Sequence, residues 1–408
     1  MRAANVVLII LLSEVLPVSL AGCQSDPQGP RLESRDGMSA VSALGNNDKF
    51  FFDFLRPRTG MTPWKRELAE FEGVLPGSAP NAPVRAVLFP GRTSRRALII
   101  SGIHGDEAAA IKVVERLRSL LRSRAAAQEA PFFTTMLVPV VIPRTSATGQ
   151  RYVPGGIGLV ESGDNKKDWK VVRHDVEPNL NLPLPGENYD MALSHGARSP
   201  ADPELFIKVR SRSGNVHERP PRGQRTSIRM LRETRMLVQL IEHFQPERLA
   251  AIHAHSREGT CYPCKDGQQT ECGGEGPGIF VDPRGIDPIS HRVRDYDQFK
   301  ADRLLATHML KEGFHRLEQD PLPITGDSSA SFPPFAGNTA CLPSTVEYFS
   351  PRQTEGNSLG DWAPVPTPGR AGITTLTIEL PKYRRISAAA SRVIDLYRDL
   401  LADVFLTR

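Results

Sequence analysis

The sequence predicts an α/β domain with a mixed, largely parallel sheet flanked by helices. Three observations predict it. Apolar runs with strand character recur along the chain, at "VRAVLFPG", "RRALIISGIHGDE", "TTMLVPVVI", "RLAAIHA" and "GITTLTIEL". Amphipathic helical patterns stand among them, at "EAAAIKVVERLRSLLRSRAAA", "IRMLRETRMLVQLIEHF" and "SAAASRVIDLYRDLLADVF". Alternation of this kind places helices on the faces of a mainly parallel sheet. The 408 residues, 39% of them hydrophobic, suffice to bury one large core, so a single large domain is expected.

Taken in order, residues 1–23 are expected to be a signal peptide rather than part of the fold. Arg2 gives a positive start and "VVLIILLSEVLPVSL" a mostly apolar segment, which Glu14 and Pro17 interrupt. That segment is shorter than the roughly 20 apolar residues a bilayer span needs. Leu20-Ala21-Gly22-Cys23 resembles the bacterial lipobox, in which the cysteine becomes the lipidated first residue. An ordinary cleaved signal with a chance cysteine is the alternative. The lipobox resemblance implies an exported bacterial lipoprotein of the cell envelope, held on a periplasm-facing membrane through a lipid on Cys23. Gln24 resembles the residue that follows the lipidated cysteine in outer-membrane sorting. Residues 24–47 are polar, with Gly, Pro and Ser and little periodicity, as a flexible linker would be. The domain is expected over 48–408. It opens with short amphipathic elements at "FFDFLR" and "WKRELAEFEGVL" before the first strands.

Residues 146–229 carry many Gly, Pro and charged residues and few periodic runs, which predicts long functional loops. Beyond Cys23 there are four cysteines, Cys261, Cys264, Cys272 and Cys341. Cys261 and Cys264 have knuckle-like spacing, but the glycine-rich "CYPCKDGQQTECGGEGPG" supplies no close fourth ligand. In an exported protein two disulfides are the expectation, with three pairings open. The 51 Lys and Arg against 46 Asp and Glu give a net charge of +5, spread along the chain without an aromatic-interleaved basic block. That disfavours nucleic acid as a partner.

The chemistry concentrates at strand ends. In "ALIISGIHGDEAAAIKVVERL" a buried strand breaks at glycine and places His104 and Glu107 at its mouth, where open α/β sheets collect their ligands. Imidazole and carboxylate are both zinc donors, and a catalytic zinc takes three protein ligands and leaves a position for water. A capping histidine and an acidic residue in a helix's first turn explain the same pair without metal. A second strand ends in histidine at "RLAAIHAHSREGT", where His253 and His255 fall on one strand face. His253 is the better placed of the two. Glu379 closes "AGITTLTIELP" in a segment of Ile, Leu and Thr, a costly position for a carboxylate without a purpose.

From about Ala97 to Leu401 these residues resemble the zinc carboxypeptidase (funnelin) family, most closely its murein peptide amidase branch. The ordered motifs are "GIHGDEAAA", "DVEPNLNLP", "ETRMLVQLIEHFQPERLAAIHAH", "NSLGDWA" and "TLTIELP". The resemblance implies a zinc carboxypeptidase-like fold and one zinc ion per chain on His104, Glu107 and His253, with His253 preferred to His255. It implies Glu379 as general base, Asn179 as a substrate-binding donor and peptide amides, muropeptides among them, as substrate. For the oxyanion it selects Arg173, with Arg144 and Arg151 as alternatives. One departure matters: where the family has Asn-Arg-Asn-Phe-Pro this chain has Asn179-Leu180-Asn181-Leu182-Pro183. Leucine cannot form the bidentate clamp on a terminal carboxylate, so the resemblance does not carry the family's terminal-carboxylate specificity to this chain. Two alternatives stand beside hydrolysis of peptides. One is zinc-dependent deacylation of N-acyl amino acids; the other is a lipid-anchored, non-catalytic peptide-binding protein on the same fold.

Overall fold

The computed structural model describes residues 70–161, 169–189, 206–209, 226–255, 278–281, 296–320, 358–383 and 385–408, all within one compact unit spanning Met38–Arg408. In chain order the strands are β1 (Phe71–Val74), β2 (Arg85–Phe89), β3 (Arg96–Ile100), β4 (Thr134–Val138), β5 (Val153–Glu161), β6 (Trp169–Val176), β7 (Phe206–Val209), β8 (Thr226–Arg229), β9 (Arg248–His255), β10 (Gly278–Val281) and β11 (Thr374–Pro381). Seven of them form one mixed sheet in the order β1-β2-β4-β3-β9-β11-β10. Its four central strands, β4, β3, β9 and β11, run parallel. The outer ones, β1, β2 and β10, are antiparallel to their neighbours.

Alternation along the central strands feeds two cores. Val87, Phe89, Ile99, Ile252 and Ile378 point to one face, where they meet Val113 and Leu117, Met309 and Leu310, and Ile394 and Tyr397. Those partners come from the helices α1 (Ala108–Ala126), α4 (Tyr296–Gln319) and α6 (Ala388–Leu400). Ser387 caps α6 by accepting the Ala390 N–H at 3.2 Å. Leu88, Leu98 and Leu249 point to the other face and pack with Met236, Leu237 and Ile241. These three lie on α3 (Arg232–Phe244), which ends where Gln245 takes a left-handed conformation. Each such aliphatic side chain, fully buried, contributes roughly 1.5–3 kcal/mol.

The fold differs from the sequence expectation in three places. Residues 146–229, read as loops, also hold a short helix, α2 (Pro143–Thr148, at the start), and a second sheet of order β6-β5-β8-β7, antiparallel throughout. Its strand β5 contains Gly155, Gly156 and Gly158 and a register irregularity, so alternation is weak there. The "WKRELAEFEGVL" segment, read as amphipathic, ends as edge strand β1, whose Glu72 pairs with Arg118 of α1 at 2.7 Å. The 24-residue α4 was not expected, since its charged residues and exposed Leu304 blur the apolar stripe carried by Phe299, Ala306, Met309 and Leu310. Expectations for residues 1–69, including the Cys23 anchor and the linker, fall outside the described residues, as do all four later cysteines.

Asn181 joins the two sheets' connections. Fully buried, it donates from Nδ2 to the Arg229 carbonyl at 3.2 Å and accepts the Leu231 N–H at 2.6 Å. It thereby ties the 3-10 turn Pro178–Leu180 to the start of α3. Replacing it by alanine takes from the buried Leu231 N–H the acceptor that Asn181 supplies. Asn181→Ala is expected to cost about 1–3 kcal/mol, read as a lower denaturant midpoint, and an unchanged midpoint would show that the clamp carries no stability.

Candidate metal centre

The register of β9 and β11 sets the centre. Leu249 and Ala251 face the α3 core, so His253, two residues further, points the same way. On β11, Leu376, Ile378 and Leu380 face the opposite core, which turns Glu379 to the face of His253. The two residues are direct register partners on adjacent parallel strands, whose spacing is about 4.8 Å.

His104 and Glu107 follow β3, the strand on the other side of β9. The chain turns there because of two glycines. Gly102 has φ +63°, and its carbonyl accepts the Ile142 N–H at 3.0 Å. Gly105 packs against α2 so closely that a Cβ would lie 2.1 Å from the Thr145 carbonyl carbon and oxygen. Its own N–H donates to the Gln150 carbonyl at 2.9 Å.

His104, Glu107 and His253 are 2–3% exposed, and one donor atom of each lies within 4.8 Å of the others. Glu107 stands between the imidazoles: Oε1 is 2.7 Å from His104 Nδ1 and Oε2 is 3.1 Å from His253 Nδ1. The other ring nitrogen of His104, Nε2, meets Glu177 Oε1. A metal taking the Nδ1 lone pair would leave Nε2 to carry its proton toward Glu177. Burial opposes charge on His104, yet the hydrogen-bonded carboxylates of Glu107 and Glu177 outweigh it and push its pKa up to about 9. Burial would raise Glu107, but His253 and His104 hold its carboxyl well below the usual range. Glu177 is likewise lowered, against burial, chiefly by His104 and then Arg151. The field at these atoms therefore favours a positive charge. Two imidazoles and one carboxylate fit a zinc ion with a position left for water.

Arg151 lies over this knot, Nη1 3.3 Å from Glu107 Oε1 and Nε 3.4 Å from Glu177 Oε2, with its side chain 41% exposed. Arg144 turns away to Glu233 on α3 at 3.2 Å. Arg173 lies on β6 opposite Ile157 of β5; its side chain, like those of Leu180 and His255, falls outside the described residues. Asn179 donates its backbone N–H to Glu177 Oε1 at 3.3 Å, and its buried Oδ1 has no hydrogen-bond partner among the described residues. Burial, reinforced by the charge of Glu107, pushes Glu379 up to about 7. Sequence reasoning missed Glu177; the available signal was an acid two residues before Asn179 in "DVEPNLNLP".

No protein-family model matches the chain, and no curated protein does. Its solved structural neighbours are metallocarboxypeptidase-like. A putative carboxypeptidase from Burkholderia mallei aligns at 14% identity over 88% of this chain and 66% of its own, with a TM-score of 0.41. A metallo-carboxypeptidase from Burkholderia cenocepacia aligns at 14% identity over 79% of this chain and 60% of its own, TM-score 0.41. The murein-tripeptide amidase MpaA from Escherichia coli O157 aligns at 16% identity over 84% and 96%, TM-score 0.33. The chain thus spans less than two thirds of the length of the two Burkholderia proteins.

The Gly105 contact yields a direct test of how the loop is held. Gly105→Ala must displace either the His104 loop or α2, and overpacking of this kind costs about 1–3 kcal/mol. A thermal midpoint lowered accordingly is expected, and an undisturbed one would mean that the loop has room to spare.

Proposed function

We propose that this protein is a zinc-dependent hydrolase of peptide amide bonds, acting as a carboxypeptidase or amidase on cell-wall-derived peptides. The observation that carries it is the buried His104–Glu107–His253 donor set, with Glu379 in register beside His253. Zinc bound there supplies a Lewis acid that acidifies water and polarises the scissile carbonyl.

Glu379 then takes the proton of the attacking water and returns it to the leaving amine nitrogen. Arg151 presents its guanidinium to the oxyanion that develops on the carbonyl oxygen. Its contacts with Glu107 and Glu177 put it beside the donor set, which supports this role. Glu177 holds the ring of His104 in orientation through Nε2. Asn179 offers a hydrogen bond to the peptide, while Leu180 leaves no guanidinium at that position for a terminal carboxylate. A stem peptide whose charge sits elsewhere suits such a cleft. A lipid on Cys23 would hold the domain at the envelope membrane, within reach of that substrate.

Three measurements test this. Incubating purified muropeptides with the zinc-loaded protein should give products whose masses identify one cleaved amide, and no cleavage of any peptide amide would refute the activity. Metal analysis should find one zinc per chain that His253→Ala loses and His255→Ala keeps; the reverse pattern would move the ligand to His255. Glu379→Gln should retain zinc while turnover falls at least about 100-fold. Near-normal turnover in that variant would remove Glu379 from the chemistry.

A further inference from the structure

The metal-binding loop and the strand that bears Glu379 are not neighbours in the sheet. Between β3, from which His104 and Glu107 emerge, and β11, which carries Glu379, runs β9 with His253 at its end. Three separate strand ends must therefore hold their side chains in a common frame. Strand hydrogen bonds fix β3 to β9 only as far as Ile100, four residues before His104. Something beyond the sheet has to set where the loop lies relative to β11.

Packing of α1, which begins directly after Glu107, against β11 sets part of that relation, and among the described residues one ion pair spans the gap at the loop itself. Asp106, between the two loop ligands, accepts a charged hydrogen bond on Oδ2 from Lys382 Nζ, three residues past Glu379. Both side chains are about three quarters covered, at 23% and 27% exposed. The other oxygen of Asp106, Oδ1, is buried and has no hydrogen-bond partner among the described residues. Among the described residues Lys382 is the group that hydrogen-bonds this carboxylate, with the charge of Arg151 also acting on it, so losing the lysine removes the direct partner of a largely covered acid. Pro381 immediately precedes Lys382 and fixes one backbone torsion between Glu379 and the lysine, which narrows the ways the strand end can move while the ion pair holds.

We propose that the Asp106–Lys382 ion pair is a positioning latch, which crosses the end of β9 and sets the distance between the metal ligands and Glu379. Its catalytic consequence rests on the hydrolase reading above; its effect on the metal site does not. Neither residue touches the reacting atoms in this role. Lys382 acts on Glu379 through three residues of backbone, and Asp106 acts on His104 and Glu107 through the loop.

The test is a double-mutant cycle in the full chain, with Asp106→Asn, Lys382→Met, the two combined, and Lys382→Arg. Zinc is the probe, and its rate of release to a chelator is followed beside kcat and KM for amide cleavage. Each single substitution should speed zinc release about 10-fold, the lower end of the effect of lost partners around metal ligands. Each should also lower kcat about 10-fold, within the loss that a displacement of about 1 Å produces, while KM changes less than about twofold. The combined variant should be no worse than the worse single one, because the second change removes a contact already lost. Lys382→Arg keeps the charge and should restore both rates. Singles that match the wild type, or a combined loss equal to the product of the two single losses, would overturn the latch. A wild type that binds zinc but cleaves no amide would instead refute the hydrolase reading, and the zinc-release cycle would still decide the latch.

Discussion

Glu107 is buried between two imidazoles, and the surrounding structure is organised by what that burial requires. A carboxylate removed from water is strongly destabilising unless charged or hydrogen-bonded groups surround it. Here His104 and His253 approach its two oxygens and Arg151 reaches one of them. Those partners come from three distant parts of the chain, so the backbone must bring a loop after β3, the end of β9 and the start of β5 to one point. The parallel centre of the sheet does this, since parallel strands all deliver their carboxyl ends to the same edge. Glu177 extends the network by taking the far nitrogen of His104. A metal cation on the same donors would satisfy the field that otherwise raises His104.

Much of this was legible in the sequence because it follows from period. Alternation in "RLAAIHAH" and "TLTIEL" places His253 and Glu379 on definite faces, and the structure puts both on the α3 side with the register pairing them. The helices α1, α3 and α6 announced themselves by regular apolar spacing. Glu177 and the contacts of Arg151 were harder to see, because each depends on where an irregular segment turns back and no local pattern marks it. The second sheet was hidden for a related reason. Strands β7 and β8 are short, and β5 and β6 carry glycine or charged residues that blur their alternation, although Val153, Val176 and Ile228 do reach the α3-side core.

The loops around the centre are held by single groups with little redundancy. Gly105 allows the His104 loop to touch α2, and Asn181 fastens the turn beyond Glu177 to α3. Further round, Arg370 is 5% exposed and donates to the carbonyls of Ala363 at 2.8 Å, Ala371 at 3.0 Å and Val365 at 3.1 Å, while stacking on Trp362. Trp362, at the end of the short helix α5 (Leu359–Trp362), in turn donates from its indole to the Glu187 carbonyl at 2.6 Å. Burial lowers the Arg370 guanidinium to about 10, far above neutrality, so it keeps its charge and serves the carbonyls. Irregular backbone is thus kept in place by polar side chains that replace the missing ladder hydrogen bonds.

The centre is assigned to nitrogen and oxygen donors, and X-ray absorption at the zinc edge of the zinc-loaded full chain reads donor type directly. The expected spectrum contains only nitrogen and oxygen neighbours at about 2.0–2.2 Å, with the outer-shell pattern of two imidazoles. A sulfur shell at about 2.3 Å would place the metal on the cysteines of the 261–272 segment instead, and would contradict a centre built on His104, Glu107 and His253.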